Sequence, residues 1–203
     1  MFNKITEFEQ QVAAFFNAPY AVATDSCTHA IELCLRATNF DNITVPTHTY
    51  LSVPMTLTKL SKNWHWTDKP WQDYYYLGNT NIIDGAVCWQ HQGYVPGSLF
   101  CLSFQFKKHL SLGRGGMILL ENADLAKQLK CMSYDGRTPD RPWGEQDIKM
   151  LGYHYYLMPE LAVLGLEKLP DAIQTPAKLW SDQDYPYLPN MTVFKNEKNL
   201  HLR

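Results

Sequence analysis

Ser103-Phe104-Gln105-Phe106-Lys107-Lys108-His109-Leu110-Ser111-Leu112-Gly113-Arg114-Gly115-Gly116 is the stretch on which the reading of this chain turns. It continues the apolar, β-rich run Ser98-Leu99-Phe100-Cys101-Leu102-Ser103-Phe104 and is followed by Met117-Ile118-Leu119-Leu120. The pattern predicts two buried strands, 99–104 and 117–120, joined by a loop. Gly113, Gly115 and Gly116 let that loop turn tightly and bring its backbone close to a neighbour, because glycine has no Cβ to obstruct it. Taken alone, Lys108 is an ordinary solvated loop lysine. Its interest comes from two other features upstream: an isolated Asp84 closing the apolar Ile82-Ile83, and the hydroxyl-rich turn Thr24-Asp25-Ser26-Cys27-Thr28-His29-Ala30.

Working outward, Phe8, Val12, Phe15 and Phe16 repeat at helical spacing. With Thr6 and Glu9 as a capping-box pattern, they predict an amphipathic helix over 6–17 that stops before Pro19. Tyr20 to Thr24 reads as a short buried strand, and Thr28 to Thr38 as a helix starting at the hydroxyl-rich turn. Strand, turn and helix in this order leave unpaired amides and a positive dipole end at Ser26 to His29. Ile43 to Val45, Asn63 to Thr67 and Asn81 to Asp84 are further strands, and 49–60 is a helix that must accommodate Pro54. The spacing between the last two strands leaves little room for a helix. Later helices are predicted over 123–134 and 159–169, the second opening on Pro159, a favourable first-turn residue. Beyond Pro170 the chain turns polar and proline-rich. The expected organisation is one α/β domain over 1–170 and a C-terminal tail over 171–203, with no internal repeat.

Composition narrows the function classes. The 203 residues and an apolar fraction of 45% suit a globular core. A formal charge of −2 without a basic cluster argues against nucleic acid, since phosphate backbones need a concentrated cationic face. No window approaches a membrane span, and the N-terminus runs into an amphipathic segment rather than a signal sequence. A soluble cytoplasmic protein is expected. The five cysteines are odd in number, widely spaced and set among apolar neighbours, which reads as reduced thiols and offers no metal spacing. His65, His91 and His154 are equally scattered, so no metal site is expected. Tyr74-Tyr75-Tyr76 and Trp64-His65-Trp66 read as core and strand faces rather than base-stacking platforms.

Pyridoxal phosphate chemistry asks for a lysine amine to hold the aldehyde, a carboxylate to keep the pyridine nitrogen protonated, and backbone donors for the phosphate. Lys108, Asp84 and the Ser26-Cys27-Thr28 turn supply these in order. At these residues the chain resembles the DegT/DnrJ/EryC1/StrS family of pyridoxal phosphate-dependent sugar-nucleotide aminotransferases, over most of Phe8 to Leu169. Ser103-Phe104 with Lys108 five residues after the serine matches the family's lysine motif, whereas Lys107 is out of register. Gly115-Gly116 matches the later glycine pair, Thr49-Tyr50 the threonine and stacking aromatic, and Gly152-Tyr153-His154-Tyr155 a late motif that reaches a neighbouring subunit's phosphate.

The resemblance implies a fold-type I α/β large domain: a mostly parallel mixed sheet with helices on both faces. It implies Lys108 as Schiff-base lysine and proton shuttle, Asp84 as the pyridinium partner, and Ser26, Cys27, Thr28, Ser103 and His154 around the phosphate. Tyr50 would lie against the ring. It further implies a homodimer, an amino acid donor and a keto sugar nucleotide acceptor. The retained lysine favours the aminotransferases over the family's dehydratase branch, which carries histidine there. Several departures stand out. The interval from Tyr50 to Asp84 is short, as if a strand–helix unit were deleted. Val87 replaces a glutamine that contacts the cofactor, Arg114 stands where an acid is usual, and His154 replaces asparagine. Only 34 residues follow Leu169, so the family's C-terminal small domain is expected to be missing or reduced. A pyridoxal phosphate enzyme acting on a smaller substrate, or a non-enzymatic relative kept for binding or regulation, are the alternatives.

Overall fold

A computed structural model describes residues 2–195. Helix α1 (Phe2–Phe16) leads to β1 (Tyr20–Thr24), α2 (Cys27–Ala37), β2 (Ile43–Pro46), α3 (Ser52–Lys59) and β3 (Trp64–Thr67). Then come β4 (Tyr75–Tyr76), β5 (Ile82–Asp84), β6 (Leu99–Ser103), β7 (Gly116–Leu120), α4 (Ala123–Ser133), α5 (Pro159–Gln174) and the short α6 (Thr192–Lys195). No helix stands between β3 and β5, as the spacing required. Among the described residues no helix is long and apolar enough to cross a membrane.

The main sheet has the order β1-β7-β6-β5-β4, and β2-β3 form a separate parallel pair. The sheet is mixed, but parallel pairing is less prevalent than expected. β5 and β6 are parallel, whereas β1-β7, β6-β7 and β4-β5 are antiparallel. β7 follows β6 through the lysine loop, which forms no crossover helix, and returns beside it antiparallel. β1, β5 and β6 consequently point the same way, and their C-terminal ends gather at one edge.

Helices cover both faces. Alternate strand residues Phe100, Leu102, Met117 and Leu119 pack with Phe8, Val12 and Phe16 of α1 and Ala162 and Leu169 of α5. The opposite residues Leu99, Cys101, Ile118 and Leu120 pack with Ile31, Leu35 and Leu129 of α2 and α4. Gly165 lets α5 seat on α1, since a Cβ there would lie 2.6 Å from the Phe8 ring.

Helix α1 begins four residues before the predicted capping box. Thr6 therefore lies inside the helix, and Glu9 is a buried anchor rather than a cap. Its carboxylate accepts the Ala23 amide at 2.9 Å and pairs with Lys130 at 2.6 Å. Burial is the largest influence on Glu9 and pushes its pKa up, against the opposing pull of Lys130. The domain end expected at 170 falls inside α5, which runs through Pro170 to Gln174 because Leu169 and Ala172 stay buried in the core. The expected tail also returns onto the domain. Trp180 exchanges backbone and side-chain bonds with Asp73, Asp182 donates to the Trp71 carbonyl, and Leu188 donates to the Thr47 carbonyl. The tail residues 196–203 lie outside the described residues.

Candidate active site

The edge where β1, β5 and β6 end is where an α/β sheet leaves room for a ligand. Asp84 is the last residue of β5, Ser103 the last of β6, and Ser26 caps α2 directly after β1. A cavity of about 460 Å³ opens there, lined by Ser26, Cys27, Thr28, Tyr50, Asp84, Ser103 and Lys108. Gln105, Lys107, Arg114, Trp180, Asp184 and Tyr185 also line it. The structure thus brings together every residue singled out for cofactor contact except His154. That ring is exposed, pairs with Asp135 at 3.1 Å and sits edge-on to Tyr156, outside the cavity.

Asp84 is buried with both oxygens partnered. The Tyr75 hydroxyl donates to Oδ2 at 2.6 Å and the Ala86 amide to Oδ1 at 3.0 Å. With the Tyr75 proton committed to Asp84, the Thr49 hydroxyl is left as donor to the Tyr75 oxygen. Burial raises the Asp84 pKa; Tyr75, Ala86 and Lys108, in that order, oppose it. Lys108 is driven the other way. Burial lowers its pKa, opposed by the negative charge of Asp84. An amine displaced toward its neutral form is the better nucleophile for an aldehyde. Tyr75 was not singled out from the sequence, and a strand of two residues carries no alternation by which to find it.

The turn before α2 has the form of an anion cradle. Ser26 Oγ accepts the His29 amide, which leaves Cys27 and Thr28 in the first turn, where a helix offers its amides no acceptor. Gly115 has φ +140°, and a Cβ on Gly116 would lie 2.4 Å from the Cys27 nitrogen, so the glycine pair permits the close passage of the lysine loop past the turn. The Cys27 thiol is pushed well up by burial and stays protonated, so its contribution is the backbone. Arg114 adds a cation beside the turn, bonded to Asp25 Oδ2 at 2.7 Å. Asp25 in turn meets His29 Nδ1 at 2.6 Å. An amine and a carboxylate in one cavity, a cradle of amides and an adjacent cation fit the aldehyde, ring nitrogen and phosphate of pyridoxal phosphate. Val87 contributes only apolar surface, to a small recess beside Asp84.

The fold defines an α/β large domain of the fold-type I kind, with a cavity that brings a lysine and an aspartate together. The sequence profile of the DegT/DnrJ/EryC1/StrS aminotransferase family matches residues 1–66 and 87–178, and the chain belongs to that family. The unmatched interval contains Tyr75 and Asp84, whose place in the site rests on the sheet register, Tyr75 opposite Asp84 and Asp84 opposite Cys101. Among solved structures, AtS13 from Actinomadura melliaura is similar with a TM-score of 0.73 and 21% identity, over 84% of this chain and 60% of that one. The putative sugar aminotransferase Spr1654 from Streptococcus pneumoniae, in its PMP form, gives 0.68 and 19%, over 84% and 59%. A putative PLP-dependent aminotransferase from Bacillus cereus ATCC 10987 gives 0.69 and 15%, over 84% and 60%. This chain therefore spans about 60% of the length of such proteins. Comparison with curated proteins finds no match.

Proposed function

We propose that this protein is a pyridoxal phosphate-dependent aminotransferase that moves an amino group from an amino acid donor to a keto sugar nucleotide, working as a cytoplasmic homodimer. The observation that carries the reading is that Lys108 and Asp84 share one cavity with the amide-rich start of α2. When bound, the cofactor supplies an electron sink for the substrate's Cα bonds. The Lys108 amine would hold the aldehyde and, displaced from it by the donor's amine, would take the proton from the donor Cα and return one at the acceptor carbon. Asp84 would accept the pyridine N–H, and its ionised form would be favoured by that positive charge as it is by Tyr75. The Cys27 and Thr28 amides, Ser103 and Arg114 would hold the phosphate, and Tyr50 would bound the ring. His154, exposed and outside the cavity, is free to meet a second subunit's cofactor. Exposed Leu151 (76%) and Met158 (56%) on either side of it support a subunit contact.

The test is the absorption spectrum of the purified full chain with added pyridoxal phosphate, before and after borohydride. The expected result is a visible band that borohydride removes, bleached by glutamate or glutamine, and missing in Lys108→Ala. A folded wild type with no such band contradicts the reading. A screen of keto substrates then identifies the acceptor.

A further inference from the structure

The cavity wall around Lys108 is shared between the lysine loop and Trp180, Asp184 and Tyr185, which follow α5 and return across the sheet edge. Trp180 is their centre. Its amide donates to Asp73 Oδ1 at 2.9 Å and its carbonyl accepts from the Asp73 amide at 2.8 Å, so its backbone is clamped on both sides. Its indole is braced by Tyr185, with centroids 6.3 Å apart, and covered by Lys178, whose ammonium lies 3.9 Å from the ring centre. That ammonium is itself fixed by Asp184 at 2.7 Å. The Lys108 amine lies 5.7 Å from the same indole centre. A rigid, flat aromatic surface thus borders the space beside the reactive amine. The carboxylate of Asp184 and the amide of Gln105 also line that cavity.

Nothing about binding the cofactor's ring or phosphate calls for this surface, because Tyr50, Asp84 and the α2 turn meet those groups. What must pass beside Trp180 is the molecule that reacts at Lys108. A flat apolar face with polar groups nearby suits a sugar ring, which presents C–H bonds on its faces and hydroxyls at its edge. We infer that Trp180 is a specificity-determining residue of this site, a stacking platform for the sugar ring of the amino-group acceptor. The inference rests on the proposed function and deepens it.

Stable probes are pyridoxal phosphate itself and its borohydride-reduced adducts with D-glucosamine and with L-alanine. Dissociation constants are measured for the full-chain wild type, Trp180→Ala and Trp180→Phe, with circular dichroism confirming the fold. Wild type should prefer the glucosamine adduct over the alanine adduct by about five- to ten-fold, the range of an aromatic contact of about 1–1.4 kcal/mol. Trp180→Ala should abolish that preference, Trp180→Phe should keep part of it, and affinity for pyridoxal phosphate alone should change less than about two-fold. Equal weakening of all three probes, unchanged preference in Trp180→Ala, or tighter binding of the glucosamine adduct by that variant overturns the platform. Should Trp180→Ala fail to fold, Trp180→Phe and Lys178→Gln decide: the inference is overturned if the preference survives intact in both. Failure of wild type to bind any probe overturns the proposed function, and the platform with it.

Discussion

The two walls of the cavity are built on opposite plans. The Asp84 wall is buried in the domain and every polar atom in it has a partner, through Thr49, Tyr75 and the Ala86 amide. The Lys108 wall is a loop bounded by a segment from the far end of the chain, held by backbone bonds to Asp73 and by lysine–indole contacts. The first wall fixes the position of its carboxyl group before any ligand arrives. The second leaves the Lys108 amine partly exposed, and under the proposed function it assigns the choice of substrate to a part of the chain that can vary without disturbing the sheet.

The largest expected effect separates the walls by chemistry. Asp84→Asn keeps the shape but not the charge, and should lower turnover about 10²-fold or more while leaving covalent attachment at Lys108 intact, read by steady-state kinetics beside borohydride trapping. Equal loss of attachment and turnover would mean that Asp84 supports the fold of the pocket rather than the chemistry.

Tyr75→Phe removes one donor from a buried carboxylate and should cost about 1–3 kcal/mol in urea unfolding. Its pH dependence has a definite sign. Asp84 has a folded pKa above its ordinary 3.8, so its contribution to stability is greatest in acid and is lost as pH rises through the folded value. Removing the Tyr75 donor raises that value further. The penalty of Tyr75→Phe should therefore be larger at about pH 7 than at about pH 4.

Lys108→Met should stabilise the cofactor-free protein, with a melting temperature a few degrees higher at neutral pH. The Lys108 pKa is depressed below 10.5, so the unfolded chain binds more protons and wild-type stability rises with pH across the interval between the two values. The advantage of the variant should shrink as pH climbs toward that upper limit. A constant difference would point to packing rather than to a buried amine.

The difference between the walls also sets what could be read from the sequence. Lys108, Ser103 and Asp84 were legible because each closes or follows an apolar run of strand character, and the α2 turn because strand, hydroxyl-rich turn and helix follow in order. Helices on the sheet faces followed from the alternation of strands and helices along the chain. Strand direction did not, since nothing in Tyr20 to Thr24 says that its neighbour will be antiparallel β7. Tyr75 was hidden among three consecutive tyrosines. Glu9 matched a capping pattern by spacing alone, and only the position of Ala23 and Lys130 shows it as an anchor. The returning segment was least visible, because its polar, proline-rich composition is that of a linker and its anchors are mostly backbone bonds to Trp71, Asp73 and Thr47.

The most direct measurement is to reduce the full chain with borohydride in the presence of pyridoxal phosphate, digest it and locate the adduct by mass spectrometry. A phosphopyridoxyl group on Lys108 is expected at a stoichiometry near one per chain, with Lys107 unmodified. An adduct on Lys107, one spread over surface lysines, or none at all would contradict that expectation.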